Sequence, residues 1–584
     1  MTENTEQTLP VGEAELAEAR ATLRRYADGK AALTRRVVED ELWWELRHWE
    51  TLRRDRRERG KYSAPEPSSA WLFNTLLNKH ADVMDNLPEP VVLPREPSDA
   101  PAARTLSTVL PAVLENADFY DAYAAQSWEK LKHGTAVYGV FWNPERSGGL
   151  GDVDIRGIDL LNIFWEPGVD DVQRSRSLFI TELADTELLE QRYPEHAGRL
   201  AEKPIEVARY LHDDSVDLSD KSLVVDWYYK RRAGGRTLLH YAKFCGDCLL
   251  YASENDPALR ERGFYDHGQY PVVFDALFPE KGSPAGFGYI AVTKDPQMYI
   301  DRLSANLLES AMMATKKRFF VSTSTNVNPE QFADWERQIV PVEGELSQAR
   351  IQEIRLDPIS GVYMDLLRQK IAEMKDTAGN RDVNSGGVGS GVTAAAAIAA
   401  LQEAGNKTSR DLISASFRAH QKVGALCIEL MRQFYDAGRV FRVAGEGGEW
   451  AFVDFDGSAL RGQPLASPFG GGGASEASDG EGIFDGPSQS PDGDSSPGGG
   501  AKYVPDGPFT TALSRRPVFD LKIRAQKRNP FSVAETNERA KELYALGFFD
   551  PARAAQAAAA LEMMDFEGKE AVLAKIRENA GGAL

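Results

Sequence analysis

Cys245-Gly-Asp-Cys248 has the C-x-x-C spacing of a redox dithiol or of half a zinc site. A zinc centre needs two more ligands at matching spacing, and the sequence has no second C-x-x-C and no H-x-x-x-H. Glycine followed by aspartate suits a tight hairpin turn, so the two cysteines read as turn-flanking residues. The eight histidines are scattered, without H-E-x-x-H, and no serine sits in G-x-S-x-G. No G-x-x-x-x-G-K-[ST] is present either, so no loop has the lysine that reaches nucleotide phosphates. These patterns give no catalytic residue, no metal ligand set and no cofactor, and the chain does not read as an enzyme. Weak phosphate contact is another matter. Residues 383–391 read VNSGGVGSG, and the amides around Gly386, Gly387, Gly389 and Gly391, with Asn384, Ser385 and Ser390, can touch phosphate oxygens. Arg381 is the nearest fixed cation. Lys316, Lys317 and Arg318 form a basic patch at a predicted helix end, where cations are also favoured by the helix dipole. Arg53, Arg54, Arg56, Arg57, Arg59 and Lys61 read as a solvated helix end. The acidic residues between Asp479 and Asp494 lack the D-x-D-x-D-G spacing of a calcium loop.

The 584 residues carry 88 acidic against 68 basic side chains, a net charge of -20, which opposes a free-standing nucleic-acid binder working by phosphate neutralisation. Three cysteines are too few for a disulfide framework and point to folding in a reducing, intracellular setting. The polar, acidic residues 1–10 have no apolar core like that of a secretory signal. The longest uncharged apolar run, 392–401, is half a membrane span. The chain therefore reads as neither secreted nor inserted.

These residues must be held by an α+β, mainly α, chain of about four average domains. Residues 11–59 predict two helices interrupted at Gly29. Further helices are predicted over 70–86, ending at Leu87-Pro88, and over 102–132. Short runs rich in β-branched and aromatic residues, 135–142, 153–158, 178–182, 222–231, 236–244 and 249–251, predict a β-rich body with tight hairpin turns. Asp295-Pro296 then reads as a helix start, with Ile300, Leu303, Leu307, Ala311 and Ala314 as one apolar stripe. A second stripe, Val362, Leu366, Leu367, Ile371 and Met374, follows an excursion of roughly forty residues. The glycine-rich run reads as a mobile loop feeding a long helix over 393–435, on the order of 60 Å, with bends expected at Gly405-Asn406 and Gly424. Residues 440–456 read as β, and 457–500 as a Gly/Ser/Asp/Pro tract too poor in apolar residues to order itself. A strand over 518–525 and three helices close the chain: one from a Ser532/Glu535 capping box to Gly547, one over 552–564 capped by Asp550-Pro551, and one over 568–578.

Three stretches resemble tailed-bacteriophage portal proteins, closest to the short-tailed type with a helical crown: GDVDIRGIDLLNIFWEP (151–167), GVTAAAAIAALQEAGNKTSRD (391–411) and NPFSVAETNERAKELYALGFFDPARAAQAAAALEMMDF (529–566). The order of helix, excursion, helix, glycine-rich loop and long helix is similar as well. This resemblance implies a portal fold with wing, stem, clip and crown layers and a homo-dodecameric ring around a DNA channel. The implied mapping begins with N-terminal helices at 1–69 and a wing at 70–285. Stem helices at 286–317 and 359–379 flank a clip at 318–358. A tunnel loop at 380–392 leads to the long wing and tunnel helix at 393–437, wing strands at 438–456, a disordered insertion at 457–505 and a return strand at 506–529. A helical crown occupies 530–584. Implied partners are double-stranded DNA held weakly and non-specifically, the terminase large subunit, which would supply ATP hydrolysis, the major capsid protein and a head-tail adaptor. The implied location is the portal vertex of the virion, after assembly in the host cytoplasm, with no membrane. Twelve copies would carry -240 (12 × -20), a repulsive wall that keeps DNA central, screened only beyond about 10 Å at 0.1 M salt. The alternative is a non-portal capsid-associated or adaptor scaffold, which leaves a glycine-rich loop before a long helix without a reason. A nucleic-acid-processing enzyme would need a metal triad or nucleotide loop, and the sequence has neither.

Overall fold

The computed structural model describes residues 10–50, 65–200, 205, 210, 220–233, 235–315, 318–321, 351–354, 361–379, 407–444, 450–461, 463–464, 514–515, 517–527, 541–548, 550, 554–562, 572–573 and 575–576. From the amino end, α1 (Glu13–Trp44) and α2 (Trp71–Met84) precede β1 (Asn86–Pro94), α3 (Ala100–Asn116) and α4 (Phe119–His133). The β-rich body comprises β2 (Thr135–Asn143), β3 (Asp152–Gly157), β4 (Ile163–Trp165), β5 (Ser177–Asp185), the short helix α5 (Thr186–Arg192), β6 (Lys221–Ala233), β7 (Arg236–Cys245), β8 (Cys248–Ala252) and β9 (Val272–Ala276). The small pair β10 (Phe278–Pro279) and β11 (Gly286–Phe287) leads into α6 (Tyr289–Thr315). Next come β12 (Arg318–Val321), β13 (Ile351–Ile354), α7 (Gly361–Thr377), α8 (Lys407–Phe434), β14 (Arg439–Ala444) and β15 (Trp450–Phe455). The chain ends with β16 (Gln463–Pro464), β17 (Ser514–Arg515), β18 (Phe519–Lys527) and α9 (Ala554–Glu562). Residues 1–81 with 90–523 form one compact unit, and 82–89 with 524–584 another.

In the first unit, α1 covers one face of an antiparallel five-stranded sheet ordered β4-β5-β6-β7-β8. Leu16, Ala19, Leu23 and Tyr26 recur every three or four residues, the spacing that keeps them on one helical face. Opposite them a cross-strand row runs Phe164, Phe179, Trp227, Ala242 and Ala252, each in register with the next. The helix does not break at Gly29, contrary to the sequence expectation. That glycine faces the ring of Pro167, where a Cβ would collide, so its role is close approach and not interruption. One residue on, the buried Lys30 donates to the carbonyls of Leu160, Leu161 (3.2 Å) and Ile163 (2.7 Å). Burial pushes its ammonium down to about 7, with Asp159 opposing the shift.

The second sheet, β3-β2-β9, carries both α4 and α8 on one face, where the two helices also touch each other. The single helix expected over 102–132 is instead two, because Asp118 takes a left-handed φ of 57°. Arg146 satisfies that break, donating to the carbonyl of Asn116 at 2.9 Å and to the Asp118 carboxylate at 2.6 Å. Among the described residues α8 runs uninterrupted through Gly424, where a bend was expected, and buries Leu412, Ala419, Val423, Leu426, Leu430 and Met431. A closed polar network lies beneath it. Lys130 donates to Asp275 (2.7 Å) and to Ser416 (2.7 Å), and Ser416 donates to Asp275 (3.0 Å). Another joins α1 to α4, where His133 meets Glu41 (3.2 Å), Glu129 (3.5 Å) and Asp40 (3.8 Å), with Lys132 bonded to Glu41.

Two further departures have local causes. The proline-rich stretch after α2 is a strand, β1, paired with β18. Pro88, Pro90 and Pro94 share the parity of Val92, whose amide and carbonyl bond to Ser107 on the side away from the partner, so the missing N–H groups fall outside the ladder. The tract expected to be unstructured from 457 begins as structure. Gly457 packs on Tyr435, Leu460 is buried, and Arg461 donates to the Tyr435 carbonyl at 2.9 Å. Beyond it β16 pairs with β17, and residues 465–513, which include the rest of the tract, lie outside the described residues. The second unit has its own core of Leu543, Ala557, Ala558, Leu561, Leu573 and Ile576. Its first helix ends at Gly547, φ 75°, with Phe548 bonded back to Leu543.

Candidate assembly and channel surface

Helix α6 begins at Tyr289, six residues before the expected start, and carries Pro296 inside it. As the eighth residue of the helix, the proline removes the bond that the carbonyl of Val292 would otherwise accept. The base of α6 is pinned to the core by buried polar groups. Asp301 accepts from the amide of Ser69 (2.9 Å) and from Gln297 (3.0 Å), and lies 3.2 Å from His48. Gln297 also accepts from the amide of Leu72 (3.2 Å) and donates to the Ser69 carbonyl (2.8 Å). Trp43 stacks on His48 with ring centres 4.2 Å apart.

From that base the packing thins. Of the expected stripe on α6, Ile300 is buried, Leu303 and Leu307 are partly buried and Ala311 is exposed, while Leu308 and Met312 (51 % exposed) face outward. The side chain of Ala314 is outside the described residues. Helix α7 packs beside α6. It buries Met374, half-covers Leu367 and Ile371, and leaves Val362 (69 % exposed), Tyr363, Met364 and Leu366 in water. Apolar residues all round a helix require cover. The polar residues of α7 are largely paired locally, Lys370 with Glu373 at 2.7 Å and Asp365 with Arg368 at 3.5 Å. Beyond the exposed ends, β12 pairs antiparallel with β13, Arg318 opposite Ile354 and Val321 opposite Ile351.

Of the sequence-derived contacts, Arg318 opens β12. Lys316, Lys317, Arg381, Asn384, Ser385, Gly386, Gly387, Gly389, Ser390 and Gly391 lie outside the described residues, as do Arg53 to Lys61. Cys245 and Cys248 flank the β7-β8 turn, and among the described residues no cluster of histidine, cysteine or carboxylate side chains could hold a metal ion. Sequence reasoning missed the exposed cations Arg410, Arg418 and Lys422 of α8, whose spacing by multiples of four was the available signal. His420 on the same helix is buried under Phe119, Tyr123 and Tyr138, and burial pushes it down to about 4, so it stays neutral and sealed from solvent. No described helix is long and apolar enough to cross a membrane.

A family model described as phage P22-like portal protein matches residues 81–469, roughly two thirds of the chain. The chain belongs to the phage P22-like portal protein family. It is a bacteriophage portal protein, a structural component of the virion capsid concerned with DNA packaging. The match takes in the five-stranded and three-stranded sheets of this portal protein, the α6/α7 pair and α8, and leaves out α1 and the core of the second unit. Portal proteins of this family are in general structural ring components that meet capsid and terminase proteins, and not enzymes. No curated protein matches the chain.

Proposed function

We propose that twelve copies of this portal protein close into a ring at one capsid vertex and pass double-stranded DNA inward during packaging and outward at ejection. The observation that supports this best is the exposed apolar surface of α6 and α7, a packed pair in which the base of α6 is fixed by buried hydrogen bonds. A rigid helix pair with uncovered apolar flanks suits a heterologous interface, in which one flank meets a different flank of the next copy and rotation closes the ring. On this reading α6 and α7 are the stem (286–317 and 359–379), and 318–358, entered and left by β12 and β13, is the clip where the terminase large subunit and the head-tail adaptor dock. Residues 380–392 are the tunnel loop and 393–437 the tunnel helix. Residues 70–285 and 438–456 form the wing that meets the major capsid protein, and 530–584 the crown. The chain's net charge of -20 keeps DNA from adhering to the wall, while the glycine-rich loop and the cations of α8 supply weak contacts. The test is negative-stain electron microscopy with mass photometry on the purified chain and on Val362→Asp/Tyr363→Asp. Rings of about a dozen subunits with a hole wide enough for duplex DNA, lost in the variant, are expected. Small closed oligomers without a hole at high protein concentration would refute the proposal.

A further inference from the structure

Helix α1 runs for 32 residues, about 48 Å, and lies outside the stretch that the family model matches. Its two ends hold different parts of the first unit. At the amino end the Asn255 side chain, in the turn after β8, accepts from the Val11 amide (2.9 Å) and donates to the Val11 carbonyl (3.0 Å). Leu16, Ala19, Leu23 and Tyr26 then bury themselves against the five-stranded sheet. Gly29 meets Pro167, and Lys30 donates to the carbonyls around the start of β4. From Arg36 onward the contacts turn to α6 and its supports. Arg36 donates to the Gly286 carbonyl of β11 (2.8 Å), three residues before α6 begins, and pairs with Glu280 at 3.1 Å. Glu39 pairs with Lys294 of α6 at 3.3 Å, and Glu41 with Lys132 of α4 at 2.9 Å. Trp43 stacks on His48, which lies 3.2 Å from Asp301 of α6. Both α1 and α4 pack on α6, α4 from the side of the three-stranded sheet and α1 from the side of the five-stranded one. Between the two sets of anchors, Ala31 and Ala32 are exposed.

We propose that α1 is a tie rod between the five-stranded sheet and α6, a conformational device that carries a displacement of the sheet to the base of that helix. The interior backbone of an α-helix is bonded along its own axis, so a helix anchored by buried side chains at both ends shifts as one body. Leu23 and Glu39 are 16 residues apart (39 - 23), about 24 Å, a distance that no single side chain spans. Two fixtures stop α1 from slipping in place. Lys30 is buried among carbonyls with its ammonium 4.4 Å from the centre of the Phe164 ring, and the Arg36 guanidinium is held between Glu280 and Gly286. The coupling is reciprocal, so whatever loosens the base of α6 also loosens the hold of α1 on the sheet. The device belongs to a single chain and does not depend on ring closure.

The test is hydrogen exchange with mass spectrometry on the full-length protein, reading peptides from the first turns of α6 (289–301) and from α8 (407–434). Leu23→Ala opens a cavity at the sheet end of α1 and should speed exchange at 289–301 by about tenfold, with a smaller rise in α8. Ala31→Gly with Ala32→Gly softens the helix at its exposed middle and removes none of the anchors. In that background Leu23→Ala should change exchange at 289–301 by less than about twofold. Asn255→Ala, which releases Val11 and leaves the buried core of the sheet intact, is a milder second perturbation, expected to act in the same direction with the intact helix only. Unchanged exchange at 289–301 in both Leu23→Ala and Asn255→Ala would overturn the proposal. So would an effect of the same size with the glycine pair present, or an equal rise throughout α8, each of which marks general loosening of the fold and not transmission along α1.

Discussion

Asp275→Ala removes the carboxylate that faces Lys130 beneath α8. Both side chains are almost fully buried, 3 % and 2 % exposed, and the ammonium would keep only the Ser416 hydroxyl at 2.7 Å and the Leu412 carbonyl at 3.5 Å. Removing one partner of a buried ion pair costs about 3–5 kcal/mol, because the other charge is stranded. Against a typical domain stability of about 5–15 kcal/mol this is a large fraction. Amides of α8 should then exchange hydrogen about a hundred- to several-thousandfold faster wherever their opening passes through loss of this contact. Replacing both charges, Lys130→Met with Asp275→Leu, should recover most of the loss, leaving about 1–3 kcal/mol for the unpartnered Ser416 hydroxyl. Urea unfolding followed by tryptophan fluorescence gives the stability; exchange mass spectrometry of α8 peptides gives the local term. A loss below about 1 kcal/mol for Asp275→Ala, or a double variant as unstable as the single one, would show that the network does not hold α8 as its geometry implies.

Stability should also fall with rising pH through His133. Burial alone would push this histidine down, but Asp40, Glu41 and Glu129 outweigh it and hold it up to about 9. A raised folded value gives stabilisation that is complete below the ordinary histidine value and lost as pH rises through 9, on the order of 3 kcal/mol; thermal melts from pH 6 to 10 on wild type and His133→Gln, in which that loss disappears, measure it. Gly134→Ala should cost about 2–4 kcal/mol, since φ is 88° and the new methyl meets the backbone of Phe287; Gly168→Ala, with φ 86° and open space, should cost only about 1–2 kcal/mol in the same melts. Alanine at Gly386, Gly387, Gly389 and Gly391 should impair DNA packaging in a phage complementation assay while rings still form, and equal packaging would remove the loop from the mechanism.

The β-rich body was legible because alternation and turn chemistry agree there. Gly246-Asp247 marks a real two-residue turn, and 222–231 and 236–244 pair in register as β6 and β7. What could not be read were places where tertiary contact overrides local preference. Gly29 stays helical because α1 needs to approach Pro167, and three prolines sit in a strand because their parity spares its ladder. Asp118 breaks a helix because Arg146, nearly thirty residues on, satisfies the exposed carbonyl. The stripes on α6 and α7 were visible as spacing, yet spacing gives a face and not what covers it. Burial of Ile300 and Met374 beside exposure of Val362 and Met312 is a property of the fold.

The pairing of β16 with β17 sets Pro464 opposite Ser514, so the 49 residues between them (513 - 464) leave and re-enter the first unit at one point. Lengthening a stretch whose two ends are already clasped adds little closure entropy, only about 0.6 kcal/mol per doubling. Genetically, this makes the position a docking port for foreign sequence: an affinity tag or fluorescent domain spliced between 464 and 514 has its entry and exit already joined.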